Sequence, residues 1–272
     1  MEIVFNNVSY SDKKKSQDKL LDSLSLDIIS GSITGFINDK CFVDLLLTLS
    51  KKPSSGELLF NGVSIKKTTK VSDYKVLLSK IGYVYDSDAY IYKENTVKEY
   101  INNQLSLHKY DDININKRVS DSLRLVGLND SFIDKNPNDL SFIEQKLIML
   151  AAVLGFNPDV IVLKDFEKGL SFREKDSYKK LFLKLKNKLN KTIIVITNDV
   201  SFMFDLVDNY YVINNGKLVL SGTKKDFYNE ELYNYVEMPK IVEFTNYANS
   251  KGCNILEYTD FKELIKEIYR KV

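Results

Sequence analysis

Residues 140–171 constrain the fold more than any other stretch of the chain. They read LSFIEQKLIMLAAVLGFNPDVIVLKDFEKGLS, which predicts an apolar helix, a turn at Asn157-Pro158 and a strand over residues 160–163. A second β-branched run covers residues 192–197, and residues 171–189 between the two runs have the pattern of a helix. Short, near-continuous apolar runs are typical of strands buried on both faces of a parallel sheet, whose neighbours are joined by crossover helices. The sequence therefore predicts an α/β fold built on a mostly parallel sheet.

The other periodic segments extend this pattern over the whole chain. Strands are predicted at residues 3–10, 24–28, 33–37, 57–60 and 81–85, and a late hairpin at residues 210–214 and 217–221. Asn61-Gly62, directly after the strand at residues 57–60, predicts a hairpin-type turn. Helices are predicted at residues 40–49, 96–107, 115–126 and 142–154, so that residues 88–157 form a helix-rich segment. Residues 226–272 have the pattern of two or three amphipathic helices, interrupted at Met238-Pro239 and at Gly252.

Composition and charge exclude several classes of function. The 272 residues are 44% hydrophobic and 28% charged, with a formal net charge of +2, which gives no electrostatic basis for binding nucleic acid. The two cysteines, Cys41 and Cys253, have neither metal-ligand spacing nor the pattern of a disulfide framework. No apolar run reaches the roughly 18 residues of a membrane span, and the first residues lack the basic start and apolar core of a signal peptide. We therefore expect any membrane role to depend on partner proteins.

An ordered series of landmarks resembles the ATPase subunit of energy-coupling-factor importers, a branch of the ATP-binding-cassette (ABC) family. The landmarks are residues 7–10, 31–37, 52–57, 81–85, 95–97, 140–171, 216–223 and 236–243. Residues 140–171 align without a gap with the signature helix and Walker B strand of the family. Residues 236–243, VEMPKIVE, resemble the C-terminal extension of this branch. The order of the landmarks carries the resemblance, because each fragment is short.

The resemblance implies an ABC-ATPase fold, with a RecA-like mostly parallel sheet, N-terminal antiparallel strands, a helical subdomain and a C-terminal helical extension. The implied boundaries are residues 1–87 and 158–225 for the ATPase core, 88–157 for the helical subdomain and 226–272 for the extension, through which such subunits pair. It also implies a head-to-tail dimer with a second ATPase subunit at the cytoplasmic face of the cell membrane. The pair would drive a transmembrane coupling protein, which carries a substrate-binding membrane protein for a vitamin or a metal ion.

The phosphate loop of the family is altered in this chain. Such a loop uses glycines to curl its backbone N–H groups around the phosphates, a lysine for their charge, and a hydroxyl group for Mg²⁺. Residues 37–42 read INDKCF, in which Lys40 aligns with the lysine and either Cys41 or Phe42 with the hydroxyl residue. No glycine lies in this stretch, and the interpretation of Asn38 or Asp39 as the N-cap of the next helix is favoured over contact of Lys40 with phosphate, because a carboxylate already lies where phosphate would bind. ATP remains the ligand that the resemblance implies, but we expect its binding through these motifs to be weak or absent.

The signature sequence is altered in the same way. Family members begin this helix with Ser-Gly-Gly-Gln, which donates to the γ-phosphate across the dimer, whereas this chain has LSFIE. Ser141, followed by Glu144 three residues later, forms a capping-box pattern, and Phe142-Ile143 adds bulk where the backbone must approach closely. We therefore predict a self-capped helix. By resemblance, Ser141 stays a candidate nucleotide contact, as does Tyr10 at the position of the adenine-stacking residue.

The positions that in the family bind Mg²⁺, activate the attacking water and hold the switch histidine carry other residues in this chain. Lys164 replaces the Mg²⁺-binding aspartate, so we expect no metal at this chain's own site. Asp165 aligns with the general-base glutamate but has one methylene fewer with which to reach the attacking water. Asn198 aligns with the switch histidine and cannot take up a proton near neutral pH, and Asp86 aligns with the Q-loop glutamine. We expect negligible hydrolysis from these motifs.

Acids and bases have changed together around one predicted pocket. We therefore predict that Lys164 and Lys40 form ion pairs with Asp39, Asp165 or Asp86, with separations within about 6 Å, so that protein charges fill the metal and phosphate site.

The leading hypothesis is a degenerate ATPase subunit of an energy-coupling-factor importer that pairs with a competent ATPase subunit. The alternative is an ABC-fold scaffold or regulator without transport, which holds another protein through the Q-loop groove or the C-terminal helices. A third hypothesis is an ordinary ATPase with divergent motifs, which Mg²⁺-dependent nucleotide binding would support. Neighbouring genes for a coupling protein and a second ATPase would favour transport over the scaffold.

Overall fold

The structure, a computed structural model, describes residues 1–11, 20–37, 43–85, 92–107 and 114–271. The elements of the first half are, in chain order, β1 (Ile3–Tyr10), β2 (Leu21–Ile28), β3 (Ile33–Ile37), α1 (Val43–Leu47), β4 (Ser55–Phe60), β5 (Val63–Ile65), α2 (Val71–Leu78), β6 (Ile81–Val84), α3 (Val97–Leu107) and α4 (Ile115–Leu125). Those of the second half are α5 (Phe142–Gly155), β7 (Val160–Lys164), α6 (Phe172–Leu189), β8 (Thr192–Ile196), α7 (Val200–Met203), β9 (Asn209–Asn214), β10 (Lys217–Thr223), α8 (Lys240–Ser250) and α9 (Phe261–Lys271).

A six-stranded sheet in the order β10-β9-β3-β8-β7-β6 forms the centre of the fold. Strands β9, β3, β8, β7 and β6 pair in parallel, and β10 pairs antiparallel with β9 as the second half of a hairpin. In the register of β7 with β8, Val160 lies opposite Thr192 and Lys164 lies opposite Ile196. The mostly parallel sheet predicted from the sequence is confirmed.

Alternate residues of β7 enter two different hydrophobic clusters. Val160 and Val162 belong to the cluster that includes β1, β2 and β4, whereas Ile161 and Leu163 belong to the cluster that includes α3, α4 and α5. Strand β8 divides its side chains between the same two clusters. Since successive side chains of a strand point to opposite faces, both faces of the sheet are buried here, which is why these strands read as continuous apolar runs.

A four-stranded antiparallel sheet in the order β2-β1-β4-β5 packs beside the central sheet. Its β4–β5 hairpin turns at Asn61 and Gly62, whose φ angles are 45° and 79°. An Asn-Gly pair is favoured there because both central residues of this two-residue turn have positive φ. The turn that the sequence predicts at this point is confirmed.

The helix-rich segment and the C-terminal segment share one core with the central sheet. Helices α3, α4 and α5 bury apolar side chains in the same cluster as Val242 of α8 and Leu264 of α9. Tyr210 of β9 stacks on Phe227, with ring centroids 4.8 Å apart and an angle of 20° between the ring planes. The C-terminal residues are therefore packed onto the sheet rather than attached to it by a linker alone.

Three short elements, β5, α2 and α7, have no counterpart in the predicted elements. Tyr74 and Leu77 of α2 are buried, but Val71 and Val76 of the same helix are exposed, so its apolar residues do not mark one face. The predicted domain boundaries at residues 87, 157 and 225 stay predictions. None of the helices in the described ranges combines the length and the apolar character needed to cross a membrane.

Phe166 lies two residues after β7, and its ring is fully buried. The ring contacts those of Tyr178 and Phe182 edge-on, with 5.3 Å between the ring centroids in each pair. We predict that Phe166→Ala lowers the free energy of unfolding by about 3–5 kcal/mol, because it leaves a cavity in a packed aromatic cluster. Chemical denaturation measures the change. Phe172→Ala is the matched control: this ring is 81% exposed, so its loss should change stability by no more than about 0.5 kcal/mol. Equal losses from the two variants would contradict the packing described here.

Candidate functional site

The parallel strands β7 and β8 end side by side, and a pocket lies at their carboxyl ends. Its open volume is about 430 Å³. The lining comes from the end of β7 and the turn after it, the end of β8 and the residues after it, and the first turns of α6. These residues are Lys164, Asp165, Glu167, Lys168, Gly169, Leu170, Lys175, Ile196, Thr197, Asn198 and Asp199. We call this the β7–β8 pocket, and we call residues 165–171 the post-β7 turn.

Asp165 begins the post-β7 turn in a left-handed conformation, with a φ of 49°. Its backbone N–H donates to the carbonyl oxygen of Ile196 at 2.9 Å, which ties the turn to the end of β8. Its carboxylate Oδ2 lies 3.1 Å from the Nζ of Lys168. Asp165 is therefore paired with Lys168, a partner that the sequence did not predict. The predicted ion pairs of Lys164 and Lys40 with Asp39, Asp165 or Asp86 stay predictions, because residues 38–42 and 86–91 lie outside the described residues. Lys164 lines the same pocket.

Asn198 and Asp165 were predicted separately, and the structure brings them to one pocket. The next residue, Asp199, pairs through Oδ2 with the Nζ of Lys175 at 2.7 Å. The other carboxylate oxygen of Asp199 accepts the N–H of Phe202 at 3.0 Å and so caps α7. Both aspartates that line the pocket are thus held by lysines of this chain.

Glu167 is a buried acid that the sequence reasoning missed. Its side chain is 3% exposed, and its Oε1 accepts a hydrogen bond from the hydroxyl of Thr197. That hydroxyl oxygen in turn accepts the N–H of Asp199 at 3.0 Å. Within the described residues Oε2 has no hydrogen-bond partner. Burial raises the pKa of Glu167, and the nearby charges of Asp165 and Asp199 act in the same direction.

Nothing in the sequence distinguishes Glu167 from its exposed neighbour Lys168, because both lie in a short charged turn. The direction of each side chain is set by the left-handed residue that starts the turn, and propensity does not predict that conformation at an aspartate. Lys146 of α5, also 3% exposed, was missed for a related reason: a lysine inside an apolar helix is normally assigned to the solvent face.

The capping box predicted at the start of α5 is confirmed. The backbone N–H and the hydroxyl of Ser141 both donate to Glu144 Oε2, at 2.8 Å and 2.7 Å, and the N–H of Glu144 donates to Ser141 Oγ at 3.4 Å. These bonds, first the one from the hydroxyl and then the one from the backbone, lower the pKa of Glu144. A carboxylate of the chain itself therefore caps the start of α5.

Phe142 and Ile143 pack toward the post-β7 turn. A Cβ atom placed on Gly169 would lie 3.6 Å from the Phe142 ring and 3.5 Å from Ile143 Cγ1. Gly169 itself has a φ of 79°, which favours glycine. These two bulky side chains thus pack α5 against the turn.

The remaining predicted site residues lie elsewhere. Tyr10 ends β1 and is 5% exposed, within the cluster of the antiparallel sheet, so its stacking on adenine stays a prediction. Ser141 is not among the residues that line the β7–β8 pocket. Lys40, Cys41 and Asp86 fall at residues 38–42 and 86–91, outside the described residues.

The described residues of the pocket do not fit a Mg²⁺ ion. Three ammonium groups, those of Lys164, Lys168 and Lys175, line it, and the carboxylates of Asp165 and Asp199 are paired with two of them. A divalent cation requires several oxygen ligands that no protein cation already holds, and the described lining offers one such carboxylate, that of the buried Glu167. No group of three or more His, Cys, Asp or Glu side chains within the described ranges is arranged to hold a metal ion.

Glu167→Gln tests the burial of this acid through the pH dependence of stability. Because the pKa of Glu167 is raised in the folded state, its contribution to stability is complete below its unfolded pKa, near 4.5, and is lost as the pH rises through the folded pKa. We predict that the melting temperature of Glu167→Gln, relative to the parent chain, increases between pH 5 and pH 8.

Glu144→Gln is the control with the opposite sign. The pKa of Glu144 is lowered, so its contribution is present above about pH 4.5 and is lost only in more acidic solution. The difference in melting temperature between Glu144→Gln and the parent chain should therefore stay constant from pH 5 to pH 8. A constant difference for Glu167→Gln as well would show that the buried acid does not titrate as described.

Known proteins resemble this chain in sequence and in fold. The model of the ABC transporter family matches residues 42–165. An energy-coupling factor transporter ATP-binding protein of Streptococcus agalactiae is 29% identical over 280 residues, covering 98% of this chain and 99% of the relative. A putative ABC transporter ATP-binding protein of Clostridium acetobutylicum is 30% identical over 220 residues, covering 79% of this chain and 76% of the relative.

The fold is also that of solved ABC ATPases. The structure of cbiO1 from Clostridium perfringens, described as part of an ABC transporter complex, superposes with a TM-score of 0.71 at 24% identity, covering 90% of this chain and 98% of that one. Sequence relatives that span nearly the full length and a shared fold lead to one assignment. The chain belongs to the ABC transporter family of ATP-binding proteins.

Proposed function

We propose that this chain is the degenerate ATP-binding subunit of an energy-coupling-factor importer. It pairs with a second, competent ATPase subunit and itself hydrolyses ATP weakly or not at all. Full-length relatives with the name of such a subunit support the importer assignment. The observation that carries the proposal of weak hydrolysis is the ion-pair lining of the β7–β8 pocket.

That lining matters because hydrolysis in this family requires a free carboxylate near the attacking water and a carboxylate ligand for Mg²⁺. Asp165, at the base position, is paired with Lys168, and Lys164 stands at the metal position. The carboxylate Oδ2 of Asp165 is engaged with the ammonium group of Lys168, so this oxygen is directed at a protein cation rather than at an attacking water. Asn198 at the switch position supplies no titratable group. This combination supports a subunit that holds the dimer together while its partner performs the chemistry.

Exposed apolar side chains on the C-terminal segment support pairing with another chain. Phe244, Tyr247, Leu256, Phe261 and Tyr269 are all exposed, and Tyr269 is 81% accessible. Burying exposed apolar side chains against a partner chain removes apolar surface from water, which favours association. We assign this surface to contact with the second ATPase subunit. The transmembrane coupling protein and the substrate-binding membrane protein complete the proposed complex, which places the chain peripherally at the cytoplasmic membrane face.

The first test is purification from native membranes, with identification of the chains that co-purify. The proposal predicts a second ATPase subunit and a membrane coupling protein. Recovery of the chain with neither would overturn the proposal and favour the scaffold hypothesis.

The second test asks which subunit performs hydrolysis in the purified complex. We predict that Asp165→Asn leaves ATP turnover unchanged within error, because this carboxylate is not the working base. Substituting the glutamate at the matching position of the co-purified ATPase should lower turnover by roughly a hundredfold or more, the usual size of a general-base contribution. Asp176→Asn, at an exposed i,i+4 pair with Lys180, is the matched control for the loss of a carboxylate. A large loss of turnover from Asp165→Asn alone would contradict the proposal.

A further inference from the structure

We propose that Lys146 is a positioning residue whose buried ammonium group acts as a fixed cation for the backbone of the post-β7 turn. It holds the turn in a single conformation without nucleotide. In the proposed complex, the turn would then form a permanent wall of the nucleotide site shared with the second ATPase subunit. This last step rests on the proposed function, whereas the positioning itself does not.

The geometry around Lys146 is that of a small cation site made of carbonyl groups. Its Nζ donates to the carbonyl oxygens of Asp165 at 3.2 Å, Phe166 at 3.3 Å and Lys168 at 2.9 Å. The ring of Phe142, one helical turn earlier on α5, lies with its centroid 4.5 Å from the same nitrogen. Three carbonyl dipoles and a π face thus surround the ammonium group.

Because Lys146 is buried, its charge depends on these contacts for stabilisation. Lys146 is 3% exposed, so its charge is kept out of water and must be compensated by the groups that it contacts. The carbonyl oxygens need the ammonium group equally, since an apolar side chain of the same size would leave buried acceptors with one donor fewer. The lysine and the turn therefore stabilise each other, and neither is expected to keep this conformation alone.

Contacts on the opposite side fix the turn against β8. The N–H of Asp165 donates to the carbonyl oxygen of Ile196 at 2.9 Å, and Glu167 accepts a hydrogen bond from the hydroxyl of Thr197. Lys146 reaches the same turn from α5. The turn is thus held between α5 and the end of β8. It presents Asp165 and Lys168 to the β7–β8 pocket.

The charged groups close to this turn come from each element that packs on it. Among the described residues they are Lys146 on α5, Lys164 at the end of β7, Asp165, Glu167 and Lys168 on the turn, Lys175 on α6, and Asp199 after β8. Asp165, Lys168, Lys175 and Asp199 are joined in pairs, and none of these pairs includes Lys146. Lys146 is therefore the group whose removal changes the backbone of the turn while leaving those pairs chemically intact.

The experiment measures amide hydrogen exchange of the isolated chain with three variants. The informative amides are those of Lys168 and Leu170, which donate to carbonyl oxygens within the turn. Lys146→Met keeps the side-chain volume and removes the charge, and we expect these amides to exchange roughly tenfold faster or more, because hydrogen bonds from a charged donor are lost. Lys146→Ala should show the same effect and also leave a space shaped like propylammonium. Lys180→Met, on the exposed face of α6, is the control and should exchange like the parent chain.

Chemical rescue separates positioning from general destabilisation. Propylammonium should restore slow exchange in Lys146→Ala but not in Lys146→Met, whose side chain fills the space. Tetramethylammonium carries the same charge without N–H donors and should rescue neither variant. The amides of β3, remote from the turn, should exchange at the parent rate throughout, which shows that each variant is folded. Unchanged exchange in the turn of both Lys146 variants, or equal rescue by both cations, would overturn the proposal.

The purified complex provides the second readout. There, Lys146→Ala should lower the kcat of ATP turnover while leaving the KM for ATP unchanged, and propylammonium should raise kcat again. If exchange in the isolated chain changes as expected but turnover in the complex does not, Lys146 positions the turn and its link to the shared site is wrong. If no ATPase subunit co-purifies, the proposed function fails, while the exchange result still decides the role of Lys146.

Discussion

The parallel pairing of β7 with β8 is the constraint on which the described site depends. The register places Lys164 opposite Ile196, so the turn after one strand and the residues after the other start at the same edge of the sheet. Both strands are buried on both faces. A shift of their register would displace apolar side chains from both hydrophobic clusters at once. The positions of Asp165, Asn198 and Asp199 therefore follow from packing that has no direct connection with nucleotide chemistry. A chain can keep this scaffold after the chemistry has changed.

Several charged groups at that edge and at the start of α5 are held by other groups of the chain. Asp165 pairs with Lys168, Asp199 with Lys175, and Glu144 caps the helix that begins at Phe142. In a working ATPase, phosphate oxygens and Mg²⁺ supply the opposite charges for such groups, and their arrival and departure drive the switch. In this chain, by our account, the charges that remain are already compensated without ligand, so nucleotide has little left to change. Such a subunit suits a partner that needs a stable surface beside its own nucleotide.

The fold could be predicted from the sequence much further than the site could. The apolar runs of β7 and β8, the Asn61-Gly62 turn and the capping box of Ser141 each carry a local signal with one structural meaning, and all were confirmed. The roles of Glu167 and Lys146 depend on which way a side chain points from a left-handed turn or an apolar helix, and tertiary packing decides that. The pairing of Asp165 with Lys168 has the same origin, because the left-handed turn brings together two residues three apart whose pairing no sequence pattern predicted.

The central claim is that this chain's own nucleotide site is occupied by its own charges. It is tested most directly by the melting temperature of the isolated chain with and without ATP and Mg²⁺. A ligand present at a hundredfold its Kd adds about 2.7 kcal/mol to stability, which corresponds to a rise of roughly 5–10 °C for a chain of this size. Our account predicts no rise beyond that produced by sodium sulfate at the same ionic strength. An increase of several degrees that requires both ATP and Mg²⁺ would contradict it.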